Sequence, residues 1–520
     1  MTNYRPRVGV WEITYACNMR CKHCGSSCGQ PLPDELTSDE AMNLCDDMGK
    51  LGVERITLSG GEPFIRPDWH RISRRLTQNG VIVNAISNGW LIDEALLDKA
   101  FANGIVNIGV SLDGYGNTHD TIRKQGSWDR SVKALSLMRQ KGMRTVVCTS
   151  VNKKNLEELD RLRSKLVELG VQRWQIQIAT PMGNLLEHPD LIITPYDLPK
   201  IVDIAHETMQ NTDLIVDLAD NVGYLTGKAE SARFKQRSNN SQVKNPCSPC
   251  WGGCPAGKSV IGIRANGDIN PCLAIRDSSF IEGNIRNTPL KEIWTRPNAF
   301  SELRSMSTDK LQGFCKECSY AATCLGGCTE LKLTFQKHIY DNTYCTFRIE
   351  MEKATKDAES TESTPQLFQN ARDHAVKQQF PQALVYVKRI LDLDPCHLDA
   401  LKLGGFVKFM QGDYTASLTY NETALGLAPN DLYATNGKGL CLTRLDQANQ
   451  GIELLKQVVD KTDPTFMDPY YDLAVVLMEQ NRLHEAREIL DLGCEKNESF
   501  LAQARPLYKN IRQSENVLDS

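Results

Sequence analysis

Hydrophobic and polar positions alternate in two different periods along the first third of the chain. From residue 8 to about 178, short β-rich runs are followed by amphipathic runs of roughly 12–16 residues, the pattern of a parallel sheet built from βα units. The strand candidates are Val8–Tyr15, Arg55–Leu58, Val81–Ile86, Val106–Ser111, Arg144–Val151 and Arg173–Ile178. Helix starts are marked between them. Thr37-Ser38-Asp39-Glu40 reads as a capping box before Ala41–Lys50. Asn155 reads as the cap of a helix over Leu156–Leu169, which Gly170 ends. Six βα units fit an α/β fold of the incomplete parallel-barrel kind, a partial (β/α)6 barrel. An open doubly wound sheet would show the same alternation. Beyond it, Leu198–Met209 looks helical, Leu214–Leu218 strand-like, and Lys228–Asn245 a polar linker.

The pattern then changes twice. Residues 246–349 are rich in Cys, Gly and Pro with few long apolar runs, which predicts a small domain held by metal rather than by a large core. Residues 350–364 are charged and small and read as a helix end and a linker. From about 365 to 510 the chain repeats. Phe380, Tyr414, Ala448 and Leu483 stand 34, 34 and 35 residues apart. Ala383, Ser417, Gly451 and Ala486 keep the same steps, and Pro395, Pro429 and Pro464 fall in phase with them. Paired amphipathic helices such as Gln366–Lys377 and Pro381–Leu391 lie between these marks. The period, the small residue in the second helix and the closing proline resemble tetratricopeptide repeats, three full and a fourth degenerate. An all-α solenoid of this kind offers a concave groove for a peptide or partner protein. The organisation expected is therefore 1–245 barrel with connecting segment, 246–349 Cys-rich domain, 350–364 linker and 365–510 helical repeats.

Composition narrows the class. Of 520 residues, 41% are hydrophobic and 24% charged, which excludes a mainly disordered chain. A net charge of −4 supplies no global basic field, so neither nucleic acid nor an anionic membrane is expected as a partner. No apolar stretch approaches the roughly 20 residues that span a bilayer, and the N-terminus lacks the order of a secretory signal. A cytoplasmic protein is expected. There, 18 cysteines do not form a disulfide framework. Twelve fall in groups, Cys17, Cys21, Cys24, then Cys247, Cys250, Cys254, Cys272, then Cys315, Cys318, Cys324, Cys328, Cys345. The other six, Cys28, Cys45, Cys148, Cys396, Cys441 and Cys494, read as core or surface thiols.

Cys17-x3-Cys21-x2-Cys24 directly follows the first predicted strand. Three thiolates on one tight loop can hold three irons of a cubane 4Fe–4S cluster and leave the fourth open to a chelating substrate. Zinc would want a fourth ligand, and His23 sits awkwardly between two cysteines. The loop resembles that of the radical S-adenosylmethionine (radical SAM) superfamily. Leu58-Ser59-Gly60-Gly61-Glu62-Pro63 after the second strand resembles the GGE motif of that family, whose backbone carbonyls bind the methionine amino group. Ser87-Asn88-Gly89 and Ser111-Leu112-Asp113-Gly114 end the third and fourth strands, where the family lines its cofactor site. The resemblance implies Gly60, Gly61, Glu62, Pro63, Ser87, Asn88, Ser111 and Asp113 as cofactor-binding positions, with Ser87 and Ser111 the polar candidates for the ribose or carboxylate. It implies reductive cleavage of S-adenosylmethionine to methionine and a 5′-deoxyadenosyl radical, with an external flavodoxin- or ferredoxin-like electron donor.

Cys254-Pro-Ala-Gly257, Gly267-x4-Cys272 and Cys315-x2-Cys318-x5-Cys324-x3-Cys328 followed by Cys345 resemble the SPASM extension of radical SAM enzymes that mature peptides and proteins. The resemblance implies two auxiliary 4Fe–4S clusters. Cys254, Cys272 and Cys328 would hold one, with Cys250 or Cys247 as fourth ligand. Cys315, Cys318, Cys324 and Cys345 would hold the other. Two zinc ribbons would also satisfy the ligand count but leave the N-terminal motif unexplained. One departure stands out. Sulfatase maturases of this family carry an aspartate just after the Gly-x4-Cys cysteine, and here that position is Leu273. The function expected is therefore a radical SAM/SPASM modification of a ribosomally made peptide or protein, by crosslink, epimerisation or backbone rearrangement. The alternatives are cofactor biosynthesis on a small molecule and a metal-stabilised binding scaffold.

Overall fold

The computed structural model describes residues 4–220, 222–223 and 253–518. Cys247, Cys250, Trp251 and the expected linker Lys228–Asn245 lie outside the described residues. The chain divides into two compact units between Ile349 and Glu350.

The first unit is built on one sheet. Seven parallel strands follow in chain order: β1 Val8–Thr14, β2 Arg55–Gly60, β3 Ile82–Ser87, β4 Ile105–Ser111, β5 Thr145–Val151, β6 Arg173–Ile178 and β7 Ile215–Leu218. Helices α1 Ser38–Leu51, α2 Trp69–Gln78, α3 Glu94–Ala102, α4 Asn117–Ile122, α5 Ser127–Gln140, α6 Leu159–Glu168 and α7 Leu198–Asn211 connect them. This is the open, barrel-like α/β arrangement the alternation predicts, with a seventh strand at its edge. Strand β5 is buried along its whole length, as its unbroken Thr-Val-Val-Cys-Thr-Ser-Val run requires of a strand covered on both faces. The capping box at Thr37 is formed: its side chain accepts from Glu40 N, and the Glu40 carboxylate accepts from Thr37 N at 2.8 Å. Asn155 does not cap its helix. A short 3-10 turn intervenes, and the Asn155 side chain instead accepts from Asn152 N at 2.8 Å and donates to the carbonyls of Asp113 and Ser150. It therefore ties the ends of β4 and β5 together.

The Cys-rich segment is continuous with this sheet. β8 Val260–Ile263 runs parallel to β1, pairing Val8 with Val260 and Trp11 with Ile263, and β9 Asp268–Asn270 and β10 Gly283–Asn284 continue it antiparallel. One hydrophobic core runs from Trp11 through Trp174 to Trp294 and Phe300. Trp174 is buried, and its indole N–H donates to Thr149 Oγ1 at 2.8 Å, so its polar edge is satisfied.

The second unit is helical. Its pairs are Thr364–Val376 with Phe380–Leu393, Leu398–Met410 with Tyr414–Leu427, Leu432–Arg444 with Ala448–Lys461, and Asp468–Glu479 with Leu483–Lys496, before a last helix Leu501–Leu518. The second helix of each pair begins at Phe380, Tyr414, Ala448 or Leu483, in the register of the repeat. The fourth pair has both of its helices. Ala383, Ser417, Gly451 and Ala486 are buried. The stretch read as a helix end and a linker is helical for most of its length: helix Thr346–Ser360 runs through it, and residues 361–363 separate it from the next helix. Ala354 and Ala358, one turn apart, are buried against Leu367 and Ala371, a narrow apolar stripe that the charged composition conceals.

Candidate active site and cysteine centres

The loop after β1 is held from several sides. Cys17 N donates to Gly29 O at 2.8 Å, and Gly29 N to Tyr15 O at 3.0 Å. Glu35 gathers its base, accepting from Tyr15 N at 2.6 Å and Leu32 N at 3.0 Å. Asn184 clamps its far side, N to Cys24 O at 2.9 Å and Nδ2 to Cys21 O at 3.0 Å. So fixed, Cys17, Cys21 and Cys24 line one wall of a cavity of about 210 Å³. Ser59, Gly60 and Gly61 at the end of β2, Ser87 and Asn88 after β3, Ser111, Ser150 and Gln177 complete it. All lie at the carboxyl ends of parallel strands, where such folds bind ligands.

The two glycines of the β2 loop are demanded by contact. A Cβ on Gly61 would stand 2.2 Å from Ala16 O, and Gly60, at φ +142°, has Thr14 O at the same distance. The loop thereby pairs with the cysteine loop, Gly61 N to Thr14 O and Glu62 N to Ala16 O, both 2.8 Å. Glu62 and Pro63 lie behind the cavity wall. The Glu62 carboxylate is fully buried and accepts from Ser87 Oγ at 3.0 Å and Asn88 N at 2.8 Å, with burial pushing its pKa up to about 7. Asp113 also stands behind the wall. It takes Ser150 N at 2.8 Å, His23 Nε2 at 3.2 Å and a close ion pair with Arg123. Burial alone would raise this carboxyl, but Arg123, His23 and His119 outweigh it and hold it at about 2.

Three further residues complete this site: Arg123, which no signal singles out in the sequence, and His23 and Cys28, which only their closeness to the cysteine loop marks. Arg123 reaches from Asp113 to Cys21, its Nη1 3.9 Å from the sulfur, as Asn88 Nδ2 is from Cys17. Such donors stabilise thiolate ligands. His23 is buried, and burial lowers it to about 4, so it is a neutral partner of Asp113. Cys28, read as a bystander thiol, lines the cavity beside Cys24. Its thiol hydrogen bond lowers Cys24 to about 5, while its own proton is held firmly. Burial pushes Cys21 up to about 12, a thiol that ionises on coordination. Cys45, Cys148 and Cys441 are buried and Cys396 exposed, as core and surface thiols.

Cys254 and Cys272 pack against one small apolar cluster, and Cys254 adds to burial in raising both Cys272 and Cys328. Asp220, Cys328 and Glu330 place ligand atoms within 4.8 Å of one another. Burial pushes Asp220 up to about 6 and Glu330 up to about 8. Cys324 and Cys318 act in the same way on Cys345, which in turn acts on Cys315. Lys332, only 1% exposed, lies in the field of cysteines from both groups, Cys254, Cys315, Cys328 and Cys324. The Cys272 backbone reaches its place because β8 has Gly262 there, whose Cβ would stand 2.4 Å from Leu273 N. Leu273 is buried, and Asp277 caps a short turn by accepting from Ser279 N at 2.9 Å.

Three thiols on one loop, donors aimed at two of them and a backbone cradle without side chains fit an iron–sulfur cluster with a small chelating ligand. This chain carries a radical SAM domain and a SPASM domain, which makes it a radical SAM enzyme. The radical SAM superfamily model matches residues 11–166, and the SPASM model, an iron-sulfur cluster-binding domain, matches residues 254–319. The AdoMet-dependent heme synthase of Methanosarcina barkeri is 29% identical over 67% of this chain and 98% of its own length. The mycofactocin maturase MftC of Mycobacterium tuberculosis is also 29% identical, over 62% of this chain and 78% of its own. Streptococcus suis SuiB, solved bound to its precursor peptide SuiA, shares the fold at a TM-score of 0.51 and 17% identity, over 66% of this chain and 76% of its own. Among the described residues no helix is long and apolar enough to cross a membrane.

Proposed function

We propose that the chain modifies a ribosomally made peptide or protein by radical chemistry. Cys17, Cys21 and Cys24 would hold the first 4Fe–4S cluster, beside which S-adenosylmethionine would lie along Gly60 and Gly61, with Ser87, Asn88 and Ser111 as polar contacts. When bound, this pair supplies an electron-driven carbon–sulfur cleavage and a hydrogen-abstracting 5′-deoxyadenosyl radical. The chain's own residues do the rest. Arg123 and Asn88 stabilise sulfur charge. Glu62 fixes the GGEP loop to the end of β3, Asp113 fixes Arg123 and His23, and the close-set strand ends limit water. Cys254, Cys272 and Cys328 would hold one auxiliary cluster, with Cys250 or Cys247 as fourth ligand. Cys315, Cys318, Cys324 and Cys345 would hold the other. A flavodoxin- or ferredoxin-like protein would supply electrons in the cytoplasm, and the helical pairs, as tetratricopeptide repeats, would hold the peptide or a partner protein.

The observation that carries the reading is the meeting of the three loop cysteines with the strand-end glycines and serines in one cavity. The peptide as substrate is supported by the maturase relative and by the helical unit, which lies outside both matched domains. A second reading, synthesis of a haem-type small molecule, is favoured by the coverage of almost the whole heme synthase. Anaerobic reconstitution with iron, sulfide, dithionite and S-adenosylmethionine tests the activity. The expected result is 5′-deoxyadenosine well above a Cys24→Ala control, and equal amounts from both would overturn it. Hydrogen isotope transferred from a labelled peptide into 5′-deoxyadenosine separates the two readings.

A further inference from the structure

The helical unit contains a cavity of about 290 Å³ among its second, third and fourth helix pairs. Its rim is aromatic and apolar: Phe406 is 40% exposed, Met410 52% and Tyr433 38%, and Tyr433 stacks with Phe466 at 6.1 Å. Its floor is polar, and Asn436 and Asp472 offer acceptors there. Asn436 is 6% exposed and donates its amide to Asp472 Oδ2 at 2.7 Å. Its own Oδ1 is buried and has no partner. Asp468 lies one turn before Asp472 on the helix Asp468–Glu479, so the like charges reinforce each other. Burial and Asp468 together push Asp472 up to about 6.

No cation of the unit answers these groups among the described residues. Lys402 is taken by Asp399 and Asp431, Lys408 by Asp413, Lys438 by Glu422 and Arg444 by Glu479. A buried acceptor without a donor costs on the order of 1–3 kcal/mol, and a buried carboxylate more. An apolar occupant would leave that cost standing, and an acidic one would add repulsion. A long alkyl chain ending in several N–H donors removes it, its stem lying among the rim aromatics and its charge available to the Tyr433 ring.

We propose that this cavity binds a lysine or arginine side chain of a peptide, the cationic head donating to Asp472 and to Asn436 Oδ1. The inference deepens the reading of a peptide substrate by naming what the helical unit recognises in it, and it rests on that reading for the peptide's role. The test uses the full chain and blocked Ala-Leu-Xaa-Leu-Ala pentapeptides, followed by saturation-transfer NMR. With Xaa as lysine or arginine, binding is expected roughly tenfold tighter than with norleucine, and weakest with glutamate. Asp472→Asn is expected to bring the lysine peptide to the norleucine level while norleucine binding stays. Asp468→Asn, at the more open position, gives a smaller loss and serves if the first variant does not fold. Equal affinity for lysine and norleucine, a preference surviving both variants, or no binding of any peptide overturns the proposal. Cleavage of S-adenosylmethionine by the wild-type chain is measured separately. Its absence sinks the proposed activity, whereas a missing charge preference with cleavage intact sinks the pocket alone.

Discussion

Arg276 offers a direct test of how the Cys-rich segment is held to the barrel. Its guanidinium spans 264 residues of sequence to meet Glu12 on β1, Nη2 to Oε1 at 2.6 Å and Nη1 to Oε2 at 2.8 Å. The same fork donates to Ser26 Oγ at 2.5 Å and Tyr15 OH at 3.2 Å, and Ser26 donates to Glu12 at 2.7 Å. The Glu12 side chain is 2% exposed and that of Arg276 21%. Arg276→Met would leave the Glu12 charge buried with Ser26 as its remaining donor. Breaking a buried pair from one side costs about 3–5 kcal/mol, and the partial exposure of Arg276 places this one near about 3 kcal/mol. Glu12→Gln with Arg276→Met removes both charges and should cost about 1 kcal/mol, about 2 kcal/mol less than Arg276→Met alone.

The assay reads the two strands that the pair secures. Val8–Thr14 and Val260–Ile263 are hydrogen-bonded neighbours, so amide hydrogen exchange by mass spectrometry reports their separation. A loss of about 3 kcal/mol corresponds to roughly a hundredfold faster exchange in both segments. The double variant should recover most of it, while a distant strand such as β5 keeps its protection. An exchange rate within threefold of wild type for Arg276→Met, or a double variant no better than the single one, would refute the reasoning.

Three further outcomes are expected. Gly61→Ala puts a methyl 2.2 Å from Ala16 O and must part the two loops; at about 1–3 kcal/mol of overpacking, affinity for S-adenosylmethionine in equilibrium dialysis should fall roughly 10- to 100-fold. Glu62 holds its proton more tightly folded, at about 7, than at its ordinary 4.5. Its contribution is therefore full below pH 4.5 and is lost as pH rises through 7, so Glu62→Gln should flatten the pH dependence of thermal unfolding in that window. Lys332→Met removes the buried cation in the field of both later cysteine groups. In the reconstituted enzyme the auxiliary midpoint potentials should become more negative by about 60 mV, on the order of tenfold in a one-electron equilibrium, read by electron paramagnetic resonance titration; no change would exclude Lys332 from that role.

What could be read from the sequence was local. Three cysteines within eight residues, Gly60-Gly61-Glu62 at a strand end, the capping box at Thr37 and the four helix starts at Phe380, Tyr414, Ala448 and Leu483 each depend on neighbours in the chain. What escaped depends on partners far apart. Arg123 lies 102 residues from Cys21, and nothing around it in the sequence distinguishes it from other surface arginines. Strand β8 is four residues long in a segment dominated by Cys, Gly and Pro, so its pairing with β1 left no periodicity to detect. Asn155 has the residue type and position of a helix cap, yet the strand ends beside it compete for the same side chain and win.

The same long-range contacts explain how carboxylates are used around the two cysteine regions. Glu12, Glu62 and Asp113 all surround the first cavity, but each is bound by arginine, hydroxyl or backbone donors, and none lines it. The ionisable groups facing that cavity are thiols, a neutral His23 and Arg123. Among the described residues that wall holds no carboxylate. Beside Cys254, Cys272 and Cys328 the balance reverses. There burial pushes the carboxyl groups of Asp220 and Glu330 well above the ordinary carboxylate range. Leu273 fills the position that carries an aspartate in sulfatase maturases, so any proton released in this enzyme's reaction must find another acceptor.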